Sequence, residues 1–582
     1  MNPSLQSVPI SDQTLLLFSF VILAGSIFTS IVTPFSMDHR VMVSAAFLTD
    51  FNGPFPTNLD NSWENKPVGN RLIMYFLYKT ASIFTGFQDK ILFEAGIKAI
   101  NVIITTFSVC LFIHSIRKFL LQNNISPLFT TIFLLFALFS LSYFTSLMPE
   151  YITLVILAVS FVLLDRDSFL TQFFSGFLAA FLFPLKGVTL IFILYLIIAA
   201  IYLYKDGRKR LKYALSGFIA FFFLMVLLFL FLFHNAIPDF LDSSLFNLSL
   251  IDFNIINRIV GSIIFFFNLS YHIPVLLPAF ILAFFIVINR ILKSELKAAG
   301  VFSLLWAIPF IPIIIQGKYL PYYYVPFIIP AVFTIYFFCV INQQNNGLFD
   351  KKTLFFSFFG ILSIYIFVYL IQNLYFKDIS LQYFFHDTEK IATIISIVII
   401  LLIIGVFSYL YSLSNRKISF SCNKHITFFL CISTIIWIIF QSPVGIDFTW
   451  NKEVSTKLFV TSKELGEKFN FSETPEILYL ESGLGPYLFN VKSYCRYYYP
   501  LPVQRAQYNP QIVKTDAYKE NFECIDEYSG DIIVLEPFWF MLDSPDKQLL
   551  KEKIDKDYDN VYNDFSSNLM VLKKTKNHSI ES

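Results

Sequence analysis

The sequence predicts a polytopic α-helical membrane protein with a small C-terminal α/β domain. Of its 582 residues, 56% are hydrophobic and only 14% are charged, and the mean hydropathy is +0.64. Soluble domains are about a quarter charged, so this composition is typical of a chain that crosses the membrane repeatedly. The net charge of +2 provides no strongly basic face, and no nucleic-acid partner is therefore predicted.

Apolar segments long enough to cross a bilayer follow one another up to residue 441. We count about thirteen; a spanning helix needs about 20 residues, and the segments at 150–164 and 169–185 are shorter than that. The first is interpreted as a retained helix, because the N-terminus lacks the basic region of a cleaved signal. The candidate spans are 14–34, 97–116, 127–147, 150–164, 169–185, 187–204, 212–233, 272–291, 298–315, 320–341, 353–375, 389–412 and 425–441.

The loops between these spans differ in their Lys and Arg content, which predicts orientation. One alternating set carries the basic clusters and is placed in the cytoplasm, together with the N-terminus. The loops 35–96 and 234–271 then face outward, and an odd number of spans places the C-terminal domain outside as well. The outer short loops hold isolated cations: Lys186, Arg258, Lys318 and Lys377.

The chain divides into a membrane domain, 1–441, and a charged soluble domain, 442–582, expected on the extracytoplasmic side of a bacterial plasma membrane. In the second domain, two strand-like runs at 477–480 and 531–535 alternate with helical patterns, which indicates a small α/β unit. The Gly-Leu-Gly at 483–485 is too short for a dinucleotide-binding fingerprint and is interpreted as a turn.

The cysteines have no metal-binding spacing. Cys495 and Cys524 both fall in the soluble domain. They could pair if that domain faces an oxidising compartment.

A polar stretch at 37–71 separates the first span from the next apolar segments. Asp38 follows the first span directly, and an ionisable group at the membrane boundary is a functional hypothesis by default. Partial desolvation would raise the basicity of Asp38, which suits a general base or a ligand for an acceptor group. Alternatively, Asp38 is a solvated carboxylate that caps a helix at 40–47.

Further charged residues lie at the outer ends of other spans. Glu150 is either a second carboxylate of the same site or an acidic residue favoured by a helix N-terminus. Lys66 precedes an amphipathic segment at 72–84 and would lie at the level of lipid phosphates. Lys186 and Lys318 could be snorkelling lysines, but isolated cations on this side also favour an anionic ligand.

The order of these motifs resembles that of the C-type (GT-C) integral-membrane glycosyltransferases. The nearest group is the protein O-mannosyltransferase and aminoarabinose-transferase-like glycosyltransferase family 39. The resemblance covers residues 14–341, and the tyrosine-rich segment 487–502 is also similar to a motif of such proteins. The matching motifs are Asp38, Glu64-Asn65-Lys66-Pro67-Val68, Pro149-Glu150, Leu185-Lys186-Gly187 and Lys318-Tyr319-Leu320-Pro321.

The resemblance implies a polyprenyl-phosphate-linked sugar as donor and a lipid, glycan or protein as acceptor, within the membrane and on its outer face. By this resemblance, Asp38 deprotonates or orients the acceptor hydroxyl, and Glu150 positions the acceptor or a metal. Lys66, with Lys186 or Lys318, neutralises the leaving phosphate, which is stabilisation of developing charge.

The first loop departs from the family pattern. Asn65 stands where the family often has Glu, and His39 stands where some members have a second acid. Glu64 is one residue away from the altered position. A divalent metal is therefore left open, and no other cofactor is predicted. His39, Glu64, Asn65 and Tyr319 complete the candidate residues.

Two other function classes stay open. One is a transporter or lipid flippase without bond chemistry, and the other is a non-catalytic scaffold of cell-envelope glycan assembly. Transporters tend to have inverted repeats and ionisable sites at the membrane midplane. This sequence shows no internal repeat, and its ionisable residues lie mainly at outer helix ends, which favours the enzyme. The replacement at Asn65 keeps the scaffold alternative open.

Overall fold

The computed structural model describes much of the first 344 residues and most of the region after 457. The spans expected at 353–375, 389–412 and 425–441 lie outside its described residues. Described are 37–52, 68–86, 89–122, 126–139, 149–231, 255–269, 276–292, 294–317, 325–344, 457–473, 476–507, 509–564 and 568–575, with a few positions in 17–27.

The described part up to residue 344 is helical. Both helical segments expected in the first outer loop, 40–47 and 72–84, are confirmed as parts of α1 and α2. The helices are α1 (Met37–Asn52), α2 (Val68–Thr85), α3 (Lys90–Gln122), α4 (Pro127–Phe139), α5 (Pro149–Asp165), α6 (Phe169–Ala180), α7 (Leu182–Leu185), α8 (Ile193–Leu203), α9 (Gly207–Phe231), α10 (Ile255–Leu269), α11 (Leu276–Leu292), α12 (Leu296–Ala307), α13 (Phe310–Gln316) and α14 (Ile328–Gln344), with a 3₁₀ helix at Gly187–Phe192 before α8.

Among the described helices, α3 and α9 contain stretches long and apolar enough to cross a membrane, Lys90–Lys118 and Gly207–Leu228. Helices α12 and α13 add a third span if this bent pair is counted as one. The described helices thus agree with a polytopic membrane protein. The count of thirteen stays a prediction.

Two expected spans are broken by proline. The segment 169–185 divides into α6 and α7 because the ring of Pro184 conflicts with the carbonyl of Ala180, four residues earlier, where α6 ends. The segment 298–315 bends by 44° between α12 and α13, beside Pro309. Apolar composition predicted that these segments are helical but not the breaks within them.

Helices α6 and α9 lie very close together because two glycines face the opposite backbone. A Cβ at Gly176 would lie 1.7 Å from the carbonyl oxygen of Ala214, and one at Gly217 would lie 1.8 Å from that of Phe173. Small residues at such crossings allow backbone approach where no hydrophobic effect drives helix association.

The C-terminal region contains a five-stranded mixed sheet in the order β2-β1-β3-β5-β4. Strands β1 and β3 are parallel neighbours, while β5 runs antiparallel to both β3 and β4. The strands are β1 (Glu476–Leu480), β2 (Lys492–Ser493), β3 (Ile532–Leu535), β4 (Tyr558–Asp564) and β5 (Leu569–Lys574).

Helices flank and connect these strands. Together with the sheet they are called the α/β region below. They are α15 (457–468), α16 (Gly485–Phe489), α17 (Leu501–Ala506), α18 (Asp516–Glu527), α19 (Pro537–Phe540) and α20 (Gln548–Asp557).

Both expected strands, at 477–480 and 531–535, are present as β1 and β3. They form continuous buried apolar runs, as parallel strands covered on both faces do. The Gly-Leu-Gly segment forms the bend between β1 and α16, in which Gly483 has φ +94° and Gly485 begins the helix. Cys495 and Cys524 form a disulfide that joins the segment after β2 to α18.

Candidate functional site

The structure places three of the predicted site residues at the ends of helices. Asp38 and His39 lie in the first turn of α1, and Glu150 lies in the first turn of α5. Their side chains are outside the described part of the structure. Glu64, Asn65, Lys66, Lys318 and Tyr319 lie outside the described residues altogether. The roles assigned to all of these residues stay predictions.

The elements that carry or border the candidate residues contact one another. Helix α1 packs on α2, which begins two residues after Lys66, and α2 in turn contacts α7. Helix α5, which carries Glu150, contacts the elements on both sides of Lys186. The 3₁₀ helix after Lys186 contacts α13, which ends two residues before Lys318. The fold therefore joins the separated motifs into one continuous group of elements.

Lys186 lies at the junction of α7 and the 3₁₀ helix, and its side chain is half-buried. The junction is fixed by Thr189, whose backbone N–H and hydroxyl both donate to the carbonyl of Lys186, at 2.7 and 2.9 Å. The same hydroxyl also lies 2.8 Å from the carbonyl oxygen of Leu182. These bonds give the lysine a defined backbone position at the end of a broken helix.

A second described cation lies near this group. Arg258 of α10 donates from Nη1 to the carbonyl oxygens of Ile314 and Ile315, at 3.0 and 2.8 Å. These carbonyls belong to the last turn of α13, where a positive charge complements the helix dipole. Arg258 therefore binds the end of α13 that leads into Gly317, the residue before Lys318.

A buried ion pair joins α1 to α3. Arg40 donates from Nε to Oε1 of Glu94 at 2.8 Å, and from a terminal nitrogen to Oε2 at 3.4 Å. The two side chains are only 7% and 5% exposed. The hydroxyl of Tyr487, from the α/β region, donates to the same carboxylate at 3.4 Å. Arg40 is two residues after Asp38, so this pair fixes the beginning of the helix that carries the predicted base.

Glu94 belongs to a polar stripe along α3 that sequence reasoning missed. The stripe lies within Lys90–Lys118, a stretch able to cross a membrane. The sequence predicted ionisable residues mainly at the outer ends of spans, and this stripe departs from that pattern. The signal was present, since charged residues at intervals of four occupy one face of a helix. The predicted span begins at residue 97 and therefore leaves out the first two charged residues of this face. The stripe consists of Lys90, Glu94, Lys98, Asn101, Thr105 and Ser108, all buried.

The α/β region docks on this end of α1 and α3. Lys90 donates to Oδ1 of Asn490 at 2.8 Å, and its ammonium group lies 4.6 Å from the centre of the Tyr487 ring. The hydroxyl of Tyr498 donates to the carbonyl of Val41 at 3.2 Å. The tyrosine-rich segment noted in the sequence is thus the surface that meets the helix of Asp38.

Two carboxylates lie where the parallel strands end, Glu481 buried and Glu536 partly buried. Glu481 follows β1 and accepts backbone N–H bonds from Leu484 at 2.8 Å and Gly485 at 3.0 Å. Glu536 follows β3 and accepts from the backbone N–H of Ser482 at 3.0 Å. Burial, and then the nearby negative charge of Glu536, raise the pKa of Glu481 to about 8. Burial also raises the pKa of Glu536.

The contribution of Glu481 to the stability of the protein is expected to fall as the pH rises from about 5 to about 8. A carboxyl with a raised pKa binds its proton more tightly in the folded state than in the unfolded state. Its stabilisation is complete below the usual pKa of 4.5 and is lost as the pH passes the folded value of about 8. Glu481→Gln, which cannot ionise, should flatten this dependence.

The measurement is the unfolding midpoint of the purified full-length chain at pH 5.5, 7 and 8.5. The control is Glu552→Gln, which makes the same change at an exposed position of α20. Equal slopes in the wild type, Glu481→Gln and the control would contradict the assignment.

Among the described residues, His, Cys, Asp and Glu side chains form no group of three that could hold a metal ion. Metal use, which the sequence left open at Glu64 and Glu150, is not tested by this finding, because the side chains of both residues lie outside the described part.

Solved structures share this fold along almost the whole chain. They are ArnT from Cupriavidus metallidurans in the apo state and the same protein bound to undecaprenyl phosphate, each with a TM-score of 0.54 and 12% sequence identity. The apo alignment covers 96% of this chain and 98% of ArnT, and the bound alignment covers 97% and 99%. No family model matches the sequence, and no curated protein matches it.

At this identity the likeness is one of fold. It confirms, as a likeness of fold, the resemblance to GT-C-type glycosyltransferases that the order of the motifs predicted, and together with the apolar helices it agrees with a polytopic membrane protein.

Proposed function

We propose that this protein is a membrane glycosyltransferase that moves a sugar from a polyprenyl-phosphate donor to a lipid, glycan or protein acceptor on the outer face of the membrane. The observation that carries the proposal is the whole-length likeness of fold to ArnT, one of whose structures holds undecaprenyl phosphate. The continuous contact of the elements that carry or border Asp38, Glu150 and Lys186 adds support.

In this proposal the reaction is a direct displacement at the anomeric carbon, with inversion. Asp38 takes the proton of the acceptor hydroxyl, whose oxygen forms the new bond to the sugar. The bond from the sugar to the phosphate oxygen breaks, and polyprenyl phosphate leaves with the bonding electrons. Lys66, with Lys186 or Lys318, neutralises the charge that develops on the phosphate. Glu150 orients the acceptor.

The proposed orientation places the N-terminus in the cytoplasm and the domain 442–582 outside, with about thirteen spans between them. The disulfide between Cys495 and Cys524 supports this orientation, because structural disulfides persist in oxidising compartments. The charge bias of the loops gives the same result.

The test compares lipid-linked sugars and surface glycans, by mass spectrometry, in cells with and without the gene. Accumulation of one polyprenyl-phosphate sugar in the deletion strain would identify the donor. Purified protein in nanodiscs should then transfer that sugar to an acceptor extract. If the purified protein transfers nothing but moves the labelled lipid across vesicle membranes, it is a flippase. If it does neither, the scaffold alternative is favoured.

Replacing Lys66 with Ala should weaken donor binding roughly tenfold or more, because a contact with a charged group is worth about 1.5–3 kcal/mol. The measurement is the affinity for the lipid donor, by titration of the protein in nanodiscs. Lys79→Ala is the matched control, since it removes the same charge from the body of α2. Unchanged affinity in the Lys66 variant would remove this lysine from the phosphate site.

A further inference from the structure

Helix α1 is held at two points just after Asp38. The side chain of Arg40 is bound to Glu94 of α3, with a closest distance of 2.8 Å. The carbonyl of Val41 accepts a hydrogen bond from the hydroxyl of Tyr498 at 3.2 Å. One attachment uses a side chain and the other uses the backbone, and they come from different parts of the chain. Together they oppose rotation of α1 about its axis and its displacement along that axis.

The α/β region also covers this part of α1. Every residue from 40 to 48 is buried. The turn after β1 packs closely on α1. A Cβ at Gly483 would lie 3.2 Å from a methyl carbon of Val41 and 3.1 Å from the ring of Tyr499. Gly483 has φ +94°, a conformation that glycine adopts without strain. Helix α1 is therefore enclosed between α3 and the turn that ends β1.

Aromatic rings complete the enclosure. The guanidinium carbon of Arg40 lies 4.8 Å from the centre of the Phe459 ring, and the Tyr487 ring lies beside Lys90. Tyr487 itself is fully buried and packs on Phe93, with 6.3 Å between ring centres. Aromatic side chains of the α/β region thus cover the ion pair between Arg40 and Glu94.

A further hydrogen bond joins the α/β region to α3. Asn490 has a φ of 57°, in the left-handed region of the backbone. Asn adopts this region more readily than most residues do. In this conformation its side-chain oxygen accepts a hydrogen bond from Lys90 at 2.8 Å. Asn490 and Tyr498 therefore bind α3 and α1 separately.

We propose that the α/β region positions the catalytic helix, and that Tyr498 and Glu94 are positioning residues for Asp38. This inference rests on the proposed function. Residues of an α-helix advance by about 100° each, so a rotation of α1 that releases Val41 also turns Asp38 away from its acceptor. A displacement of about 1 Å at a reacting group can cost roughly a hundredfold in rate. The α/β region thus belongs to the active unit although it supplies no reacting atom.

The test is Tyr498→Phe in the full-length protein in nanodiscs, with Tyr497→Phe as the matched control. Both variants remove one hydroxyl from adjacent tyrosines. The hydroxyl of Tyr497 donates to Glu520 within the α/β region at 3.1 Å, whereas the hydroxyl of Tyr498 donates to α1. We expect Tyr498→Phe to lower kcat about tenfold while KM for the lipid donor changes less than about twofold.

The pH profile separates positioning from a loss of active protein. Moving the base changes its surroundings, so the acidic limb of the kcat profile should shift by roughly half a unit in Tyr498→Phe. A smaller active fraction would lower kcat and leave the shape of the profile unchanged. Tyr497→Phe should match the wild type in kcat and in profile.

If Tyr498→Phe does not fold, Asn490→Gly decides the question, because glycine keeps the left-handed backbone and removes the bond to Lys90. A fall in kcat of roughly threefold with unchanged KM would support the proposal. Equal kcat and profile in the folded variant and the control, with an inactive Asp38→Asn, would overturn the positioning role and leave the proposed function intact. Full activity in Asp38→Asn would overturn the proposed function itself.

Discussion

Asp38→Asn is expected to lower sugar transfer by roughly a hundredfold to ten-thousandfold, because the variant removes a general base that contributes about 10²–10⁴ in rate. The change keeps the size of the side chain. Asp38 lies in the first turn of α1, where both Asp and Asn are tolerated near a helix N-terminus. Folding and membrane insertion should therefore be preserved.

The measurement is the rate of transfer from the identified lipid donor at saturating acceptor, together with the unfolding midpoint. The control is Asp50→Asn, the same change near the other end of α1. Loss of activity in both variants would indicate a general effect on the helix. Full activity in Asp38→Asn would end the role of Asp38 as the base.

Glu94→Ala is expected to lower the free energy of unfolding by about 3–5 kcal/mol, because it leaves the buried guanidinium of Arg40 without this carboxylate. Both side chains are nearly inaccessible to water. The fall is measured from the denaturant dependence of unfolding of the purified chain.

Two variants test the physical reason. Glu295→Ala removes a carboxylate from the half-exposed pair with Arg290 and should cost only about 0–1 kcal/mol. The double change Arg40→Met with Glu94→Leu should recover part of the loss, since an apolar pair of similar volume is often as stable as a buried ion pair, while the hydroxyl of Tyr487 still loses this acceptor. If Glu94→Ala and Glu295→Ala are equally stable, the buried pair is not a major contributor.

Local patterns were sufficient to predict much of the fold. The amphipathic helix α2, the continuous buried strands β1 and β3, and the turn at Gly483 all follow from residues close in the sequence. Composition also predicted a polytopic membrane protein. The order of motifs indicated the glycosyltransferase-like fold, although no single motif was specific.

Other elements gave a weaker local signal. Strand β2 has only two residues, and β4 is mostly polar with just its first residue fully buried. The burial of the side chains of β5 does not alternate along the whole strand, and its last two residues are exposed lysines. Such strands are defined by their neighbours in the sheet, and hydrophobic periodicity does not record those neighbours.

The buried contacts around α1 were also beyond prediction from sequence. A salt bridge between Arg40 and Glu94 requires that two helices cross at those positions. The hydroxyl of Tyr498 reaches a backbone carbonyl, which every residue type provides. Nothing at Val41 therefore marks it as a partner. The polar stripe of α3 could have been recognised from its spacing, but its partners could not.

The bond between Tyr498 and Val41 spans 457 residues of sequence, and this separation has a consequence for biosynthesis. At about 5–20 residues per second, the ribosome needs roughly 20 to 90 s to make the intervening chain. During that interval α1 has been synthesised but lacks the contact that secures it. A polypeptide that stops short of the tyrosine-rich segment would carry the predicted base without its support. Maturation of activity would then coincide with completion of the chain, so that nascent and truncated products stay inert toward the lipid-linked sugar.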